Sequence, residues 1–337
     1  MEDKIFYFGV VEDNNDPDMK GRVRCRIFGV HNPDKKILPT KDLQWCVISN
    51  SVSSSSVSGV GSSPLGIEKG TWCVIIFADP YSKQIPVVLG TLSGSPSDVV
   101  EEDEYLDSNR KYDSDNDKGF VDPDKDFPKL KNESDINRLC RNEHIDETIV
   151  QTKKDNRIKD IKMANSDDEE NDKENTWSEP ESQYDAKYPY NKVTQTVSGH
   201  IVEYDDTPGK ERIQQYHKAG TFYEIYPDGS QVEKIVKDNY QLILGDDYIY
   251  VEGGVKVFIQ GDANVNIGGG AELQVGGDCN AQIKGNLDTY VNGEYNLGVQ
   301  GDINISTNGK INTISSGVKI ESSDTVDIIG SYINLNK

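Results

Sequence analysis

The sequence predicts an all-β chain in four zones: a small closed or nearly closed barrel over residues 1–98, an acidic linker with little regular structure over 99–185, an antiparallel β adaptor over 186–240, and stacked short strands over 241–337. Three observations carry this. Short β-branched and aromatic runs bounded by turn residues occur on both sides of a polar gap. The gap is acid-rich, with 27 Asp/Glu against 14 Lys/Arg over 99–185. From Gly245 onward a glycine falls at every eighth residue.

In the first zone, "KIFYFGVV", "GRVRCRIFGV", "LQWCVIS", "TWCVIIFAD" and "QIPVVLGTL" are four to ten residues long and end at Gly, Pro, Asn or Asp. "GRVRCRIFGV" alternates strictly, so Val23, Cys25 and Ile27 point one way and Arg22, Arg24 and Arg26 the other. Five such strands in about a hundred residues suit a small barrel. The serine-glycine segment 49–64 is too long for a simple hairpin, and is expected either to move or to be ordered by a neighbour. In the linker, "SDDEENDKEN" cannot pack. One short helix is expected near 135–154, where Ile136, Leu139, Ile145 and Ile149 fall loosely at helical spacing, and neighbouring subunits are expected to supply its order. In the adaptor, "DDTPG" and "PDG" are turns between alternating strands. Val197, Ile201 and Ile213 are expected to pack inward.

The last zone repeats in octads. Gly245, Gly253, Gly261, Gly269, Gly277, Gly285, Gly293, Gly301, Gly309 and Gly317 mark the corners, and the third, fifth and seventh places between them lean apolar, as in Val255-Val257-Ile259 and Ala271-Leu273-Val275. Period-two alternation punctuated by a residue that tolerates φ > 0 reads as one short strand plus a kink per octad. Stacking such units makes a β-solenoid. Each octad offers only about three inward side chains, many of them small, which also fits a narrow prism shared by several chains. The repeat leaves one chain and three chains both open. The acidic residues after the corners do not follow the G-G-x-G-x-D calcium nonapeptide.

Composition narrows the function. A net charge of −22 opposes nucleic-acid binding, which needs a Lys/Arg surplus. Five cysteines with no C-x-x-C pair form neither a disulfide framework nor a zinc site, and Cys25, Cys46 and Cys73 read as small core residues made in a reducing compartment. His200 and His217 lie on expected strands without a third ligand and read as structural. No metal, cofactor or catalytic residue is expected. No apolar run approaches the length of a membrane helix, and the first ten residues lack signal-peptide form.

With these residues in view, a resemblance can be stated. Asp16-Pro17, Gly21-Arg22-Val23, Pro39-Thr40, Trp45, Gly70-Thr71-Trp72 and Pro86-Val87-Val88-Leu89-Gly90 resemble the N-terminal oligonucleotide/oligosaccharide-binding (OB) barrel of phage baseplate central spike proteins, the T-even-like spikes of contractile tails. The segments 177–193 and 198–240 are similar to the stretch leading into that family's needle, and the octads resemble the needle itself, an intertwined three-chain β-helix. The spike of type VI secretion is a more distant relative.

The resemblance implies a homotrimer and a virion component of the tail baseplate, made in the host cytoplasm. It implies a barrel fixed to a ring of a separate hub protein, since no hub domain precedes Met1. It also implies transient contact with the bacterial outer membrane as sheath contraction drives the needle through. Two departures matter. The 87-residue gap is too short and too polar for the lysozyme domain of the best-known member, so Glu143 and Asp146 are read as linker acids rather than a glycosidase pair. After Gly317 no H-x-H pair is present to bind iron, so a separate small conical tip protein is expected to complete the apex. The rivals are a cell-wall-degrading tail enzyme using the linker carboxylates and a receptor-binding tail fibre.

Overall fold

A computed structural model describes residues 5–93, 136–142, 149–162 and 176–334. The chain divides into two units, Met1–Phe258 and Ile259–Lys337.

Strand β1 (Tyr7–Asp13) opens the first unit, followed by β2 (Val23–Ile27), β3 (Trp45–Ile48), β4 (Trp72–Asp79) and β5 (Gln84–Leu92). All five expected barrel strands are present. They close in the order β1-β2-β3-β5-β4, with β3 and β5 parallel and the other pairs antiparallel. Closure removes free sheet edges. The interior is filled by Val11, Val23, Cys25, Ile27, Cys46, Cys73, Ile75, Phe77 and Val88. Gly9 lies where β1 crosses closest to its neighbours: a Cβ there would meet the Arg26 carbonyl and Ile75 Cδ1 at 2.9 Å each. The 49–64 loop carries hydrogen bonds among its own side chains. Ser62 N donates to Ser54 Oγ at 2.8 Å, and Asn50 Nδ2 to Ser56 Oγ at 2.8 Å.

In the linker, a 3-10 turn (Arg138–Arg141) is followed by α1 (Ile149–Asp155) and by the two-stranded pair β6 (Ile161–Lys162) and β7 (Thr176–Trp177). The described helix overlaps the C-terminal part of the expected 135–154 region, and Ile145 lies outside the described residues. These segments dock on their own chain. Leu139 and Val150 are buried against Ile201, Tyr216 and Phe222 of the following sheet.

That sheet runs β8 (Asn191–Gln195), β9 (Ile201–Asp205), β10 (Arg212–Tyr216), β11 (Phe222–Ile225) and β12 (Gln231–Lys234), an antiparallel meander with neighbours in chain order. Its register gives two rows on the outer face, Lys192–Tyr204–Ile213–Ile225–Gln231 and Thr194–Val202–Gln215–Tyr223–Glu233. On the inner face lie Asn191–Asp205–Arg212 and Val193–Glu203–Gln214–Glu224–Val232. The expected facing fails for two of three residues: Ile201 is buried, but Ile213 lies on the outer face and Val197 is exposed in a turn. The buried face is the charged one, because the linker supplies matching partners there.

From residue 236 to 334 the backbone pairs with no strand among the described residues. It bends at 244–245, 252–253, 260–261, 268–269, 276–277, 284–285, 292–293, 300–301 and 308–309, eight residues apart throughout. Nine of the ten octad glycines, Gly245 to Gly309, sit at these bends, and none of the ten has φ in the left-handed region. At nine of them no atom of the chain comes within 4 Å of where a Cβ would stand. The expected reason for glycine, a positive φ at the corner, is therefore not the one seen.

Candidate functional site

The chemistry of the chain is concentrated in three surfaces. The first is the arginine stripe of β2. Alternation turns Arg22, Arg24 and Arg26 away from the barrel core, and β1 with its following turn supplies an acid to each. Arg26 is itself buried, donating from Nε to Glu12 Oε1 at 2.6 Å, from Nη2 to Glu12 Oε2 at 3.0 Å, and from Nη2 to the Leu38 carbonyl at 2.9 Å. Thr40 Oγ1 donates to the same Glu12 carboxylate at 2.7 Å. Arg22 grips Asp16 through Nε at 2.9 Å and Nη2 at 2.7 Å, while the backbone amides of Asp18, Lys20 and Arg22 also donate to it. Arg22 holds the Asp16 carboxyl well below the usual carboxylate range. Gly21 forms the tight approach, with φ +70° and Pro64 so close that a Cβ would lie 2.7 Å from its Cγ. Arg24 reaches Asp13 at 3.8 Å and lies 4.4 Å over the Trp45 ring. The stripe is thus neutralised and stacked, and it leaves no basic groove of the kind that tracks a phosphate backbone.

The second surface is the outside of β1, β4, β5 and β3, which are adjacent in that order. Phe8 stands across from Val74, and Ile76 from Val87, which in turn faces Val47. Phe8, Val47 and Leu89 are each more than 40% exposed. A contiguous apolar face on a closed barrel marks a contact site.

The third is the polar interior between linker and sheet. Lys153 of α1 inserts its ammonium among sheet groups, donating to Gln214 Oε1 at 2.8 Å and to the Glu224 carboxylate, 4.1 Å over the Phe222 ring. Burial lowers its pKa, against the opposing pull of Glu224. Arg212 spans two carboxylates, Glu224 at 2.8 Å and Glu203 at 2.8 Å. Asn191 and Tyr184 both donate to the Leu139 carbonyl, fixing the 3-10 turn. Lys234 at the end of β12 binds Glu179 and the Asn156 carbonyl, each within 2.8 Å. A pocket of about 210 Å³ opens beside this network, between Lys153, Arg157, Glu181 and Tyr226. The tyrosine hydroxyl is pushed up to about 12 by burial. Sequence reading missed this interior. The signal was present in Glu203, Asp205, Arg212, Gln214 and Glu224, which share the parity of Ile201, Tyr216 and Phe222.

The remaining candidates divide. His200 and His217 lie with ring centroids 4.4 Å apart and planes tilted by 47° across facing strand ends, and His217 Nδ1 accepts from the Ala219 amide at 3.1 Å. Among the described residues no group of three His, Cys, Asp or Glu is placed to hold a metal ion. Glu143 and Asp146 lie outside the described residues. Along the octads the apolar odd-numbered side chains stand in solvent, with Val265 and Leu273 both 84% exposed.

Comparison with known proteins gives the lineage. The family described as Gp5 N-terminal OB domain matches residues 29–183, beginning just after β2 and running through the linker. Protein Gp5 of Vibrio phage KVP40 is 35% identical over 269 residues, 71% of this chain. The chain is thus similar in sequence to proteins named Gp5 from two phages. The pre-baseplate central spike protein Gp5 of Enterobacteria phage T4 is 43% identical over 72 residues, 21% of this chain and 12% of that protein. The chain covers 59% of the length of the KVP40 Gp5 protein. The closed five-stranded barrel agrees with the OB domain of these Gp5 proteins, although its own strands close over a shorter span, from Tyr7 to Leu92.

Proposed function

We propose that the chain is the structural central spike of a contractile-tail baseplate, located in the virion, and that three copies wind their octads into one needle. The observation that carries this is the state of the octads: a backbone bent every eight residues, unpaired within its chain, with its apolar side chains exposed. Exposed apolar rows and unpaired strand backbone are stable in water only when another chain covers them. Three identical chains do so with register intact. The missing Cβ at each corner then serves close approach of a neighbouring backbone rather than a positive φ.

In this reading the domains are a barrel (1–98), linker (99–185), adaptor (186–240) and needle (241–337). The apolar face around Phe8, Val47 and Leu89 seats on a hub ring, and a small tip protein closes the far end. Sheath contraction supplies the work, and the spike supplies stiffness as it crosses the outer membrane. Hydrogen bonds that run between chains must break together, which makes unfolding slow. No catalytic step is assigned to it. Light scattering on the full-length chain tests the assembly: three times the 37.5 kDa chain mass is expected, and a monomeric mass would overturn the needle. A peptidoglycan turbidity assay tests the absence of catalysis. Lysis that is lost in Glu143→Gln would make the protein an enzyme.

A further inference from the structure

We infer that Lys153 and Gln214 join their side chains in an isopeptide bond that the chain forms by itself, with loss of ammonia. Nothing in this depends on the trimeric reading. Lys153 Nζ donates to Gln214 Oε1 at 2.8 Å, and the two residues are 9% and 1% exposed. With a carbonyl bond of about 1.2 Å, Gln214 Cδ lies about 3–4 Å from that nitrogen. Attack on a carbonyl begins from about 3–3.5 Å. The amide is held one way round. Its oxygen also accepts from Arg212 Nη1 at 2.8 Å, while its nitrogen donates to Glu203 Oε1 at 3.0 Å. Turned over, it would aim an NH2 group at two cations. Arg212 is therefore placed to stabilise negative charge on Oε1 as the carbon is attacked.

Glu224 supplies the base. Lys153 donates to its carboxylate, and burial already lowers the lysine pKa. Passing one proton from Lys153 to Glu224 turns two buried charges into two neutral groups. The free amine then adds to Cδ, forming the Nζ–Cδ bond and placing negative charge on Oε1. A proton passes from Nζ to Nε2, the Cδ–Nε2 bond breaks, the carbonyl reforms and ammonia leaves, taking up the proton held by Glu224. No oxidant, cofactor or activating group is consumed. Glu224 itself is the poorer acceptor, since its carboxylate repels a nucleophile and has no neutral leaving group. The pocket of about 210 Å³ beside Lys153 and Glu224 gives the ammonia room to depart. The product ties α1 to β10 between positions 61 apart in the chain, which restricts the unfolded ensemble as a disulfide does.

Denaturing mass spectrometry of the purified full-length chain tests the bond, beside Lys153→Arg and Gln214→Met. Each variant lacks one reacting group, and its mass is read without a folded state. The wild-type chain should be lighter than its sequence by one ammonia, and both variants should keep their full mass. After trypsin, the peptides carrying Lys153 and Gln214 should appear as one branched species in the wild type alone. A wild-type chain at full mass, with those peptides separate, overturns the bond. Equal ammonia loss in all three proteins places it elsewhere, as at Asn292-Gly293 or Asn308-Gly309, and overturns the bond too. Loss of water instead would join Lys153 to Glu224 and overturn Gln214 as the acceptor.

Discussion

Arg26 is a charged residue placed where a barrel strand would ordinarily carry a solvent-facing one, and its guanidinium is spoken for on three sides. Removing it would strand the Glu12 carboxylate, whose side chain is 1% exposed. Loss of one partner of a buried pair costs about 3–5 kcal/mol, so Arg26→Met should lower barrel stability by that order in urea unfolding. A midpoint unchanged from wild type would show that water reaches Glu12. His31 lies beside the same pair, accepting the Ile27 amide on Nδ1 at 2.9 Å. Burial lowers its pKa below the ordinary 6.5, with the Arg26 charge adding to the effect. A histidine with a depressed folded pKa contributes stability that is complete above about pH 6.5 and lost as the pH falls below it. Thermal midpoints should therefore fall as the pH drops below about 6.5, and His31→Asn, which keeps an acceptor but cannot titrate, should flatten that slope. An equal slope in both proteins would locate the acid sensitivity elsewhere. Residues of this kind were half legible. The alternation of "GRVRCRIFGV" fixed which side Arg26 faces, but not that a glutamate fourteen positions earlier would close over it.

At the scale of elements, the linker and the sheet are joined both by an apolar cluster around Leu139 and Val150 and by buried polar atoms. Lys153→Met removes the ammonium from Glu224, which keeps Arg212 and Ser182 as partners. The cost should be about 1–3 kcal/mol, felt as faster amide exchange in α1 and the 179–184 segment with barrel exchange unchanged. No change in exchange would mean that Leu139 and Val150 alone hold the strap. The barrel strands were readable from composition because each buries one apolar face. The adaptor's antiparallel meander was readable as well, but its facing was not, because searching for an apolar inward face picks Ile213 and overlooks a sheet whose buried side also carries Glu203, Arg212 and Glu224. In the octads, Ile267→Asp should prevent assembly, since the proposed needle would set three charges on one axis, whereas Asn266→Asp on the neighbouring parity should assemble normally. Equal assembly by both would reverse the assigned facing.

Over the whole molecule, charge is distributed by zone. Residues 1–93 hold ten Asp/Glu and ten Lys/Arg, so the barrel is neutral, while 99–185 holds 27 against 14 and supplies −13 of the −22. A neutral barrel with an apolar outer face suits seating on another protein. The acidic middle keeps the chain dispersed before assembly. The period of eight was the clearest signal in the sequence because backbone geometry alone produces it. The number of chains was hidden, since an apolar odd-numbered side chain looks the same whether its cover comes from the next turn of its own chain or from another copy. The unbroken spacing of the bends from 244 to 309 also makes rod length a countable quantity. On the proposed trimeric reading, excising the eight residues 269–276 should shorten the particle by one rung and leave the mass at three chains, whereas excising three of them should scramble every side-chain facing beyond the cut. Electron micrographs of the two deletions would show whether such a spike can be cut to measure.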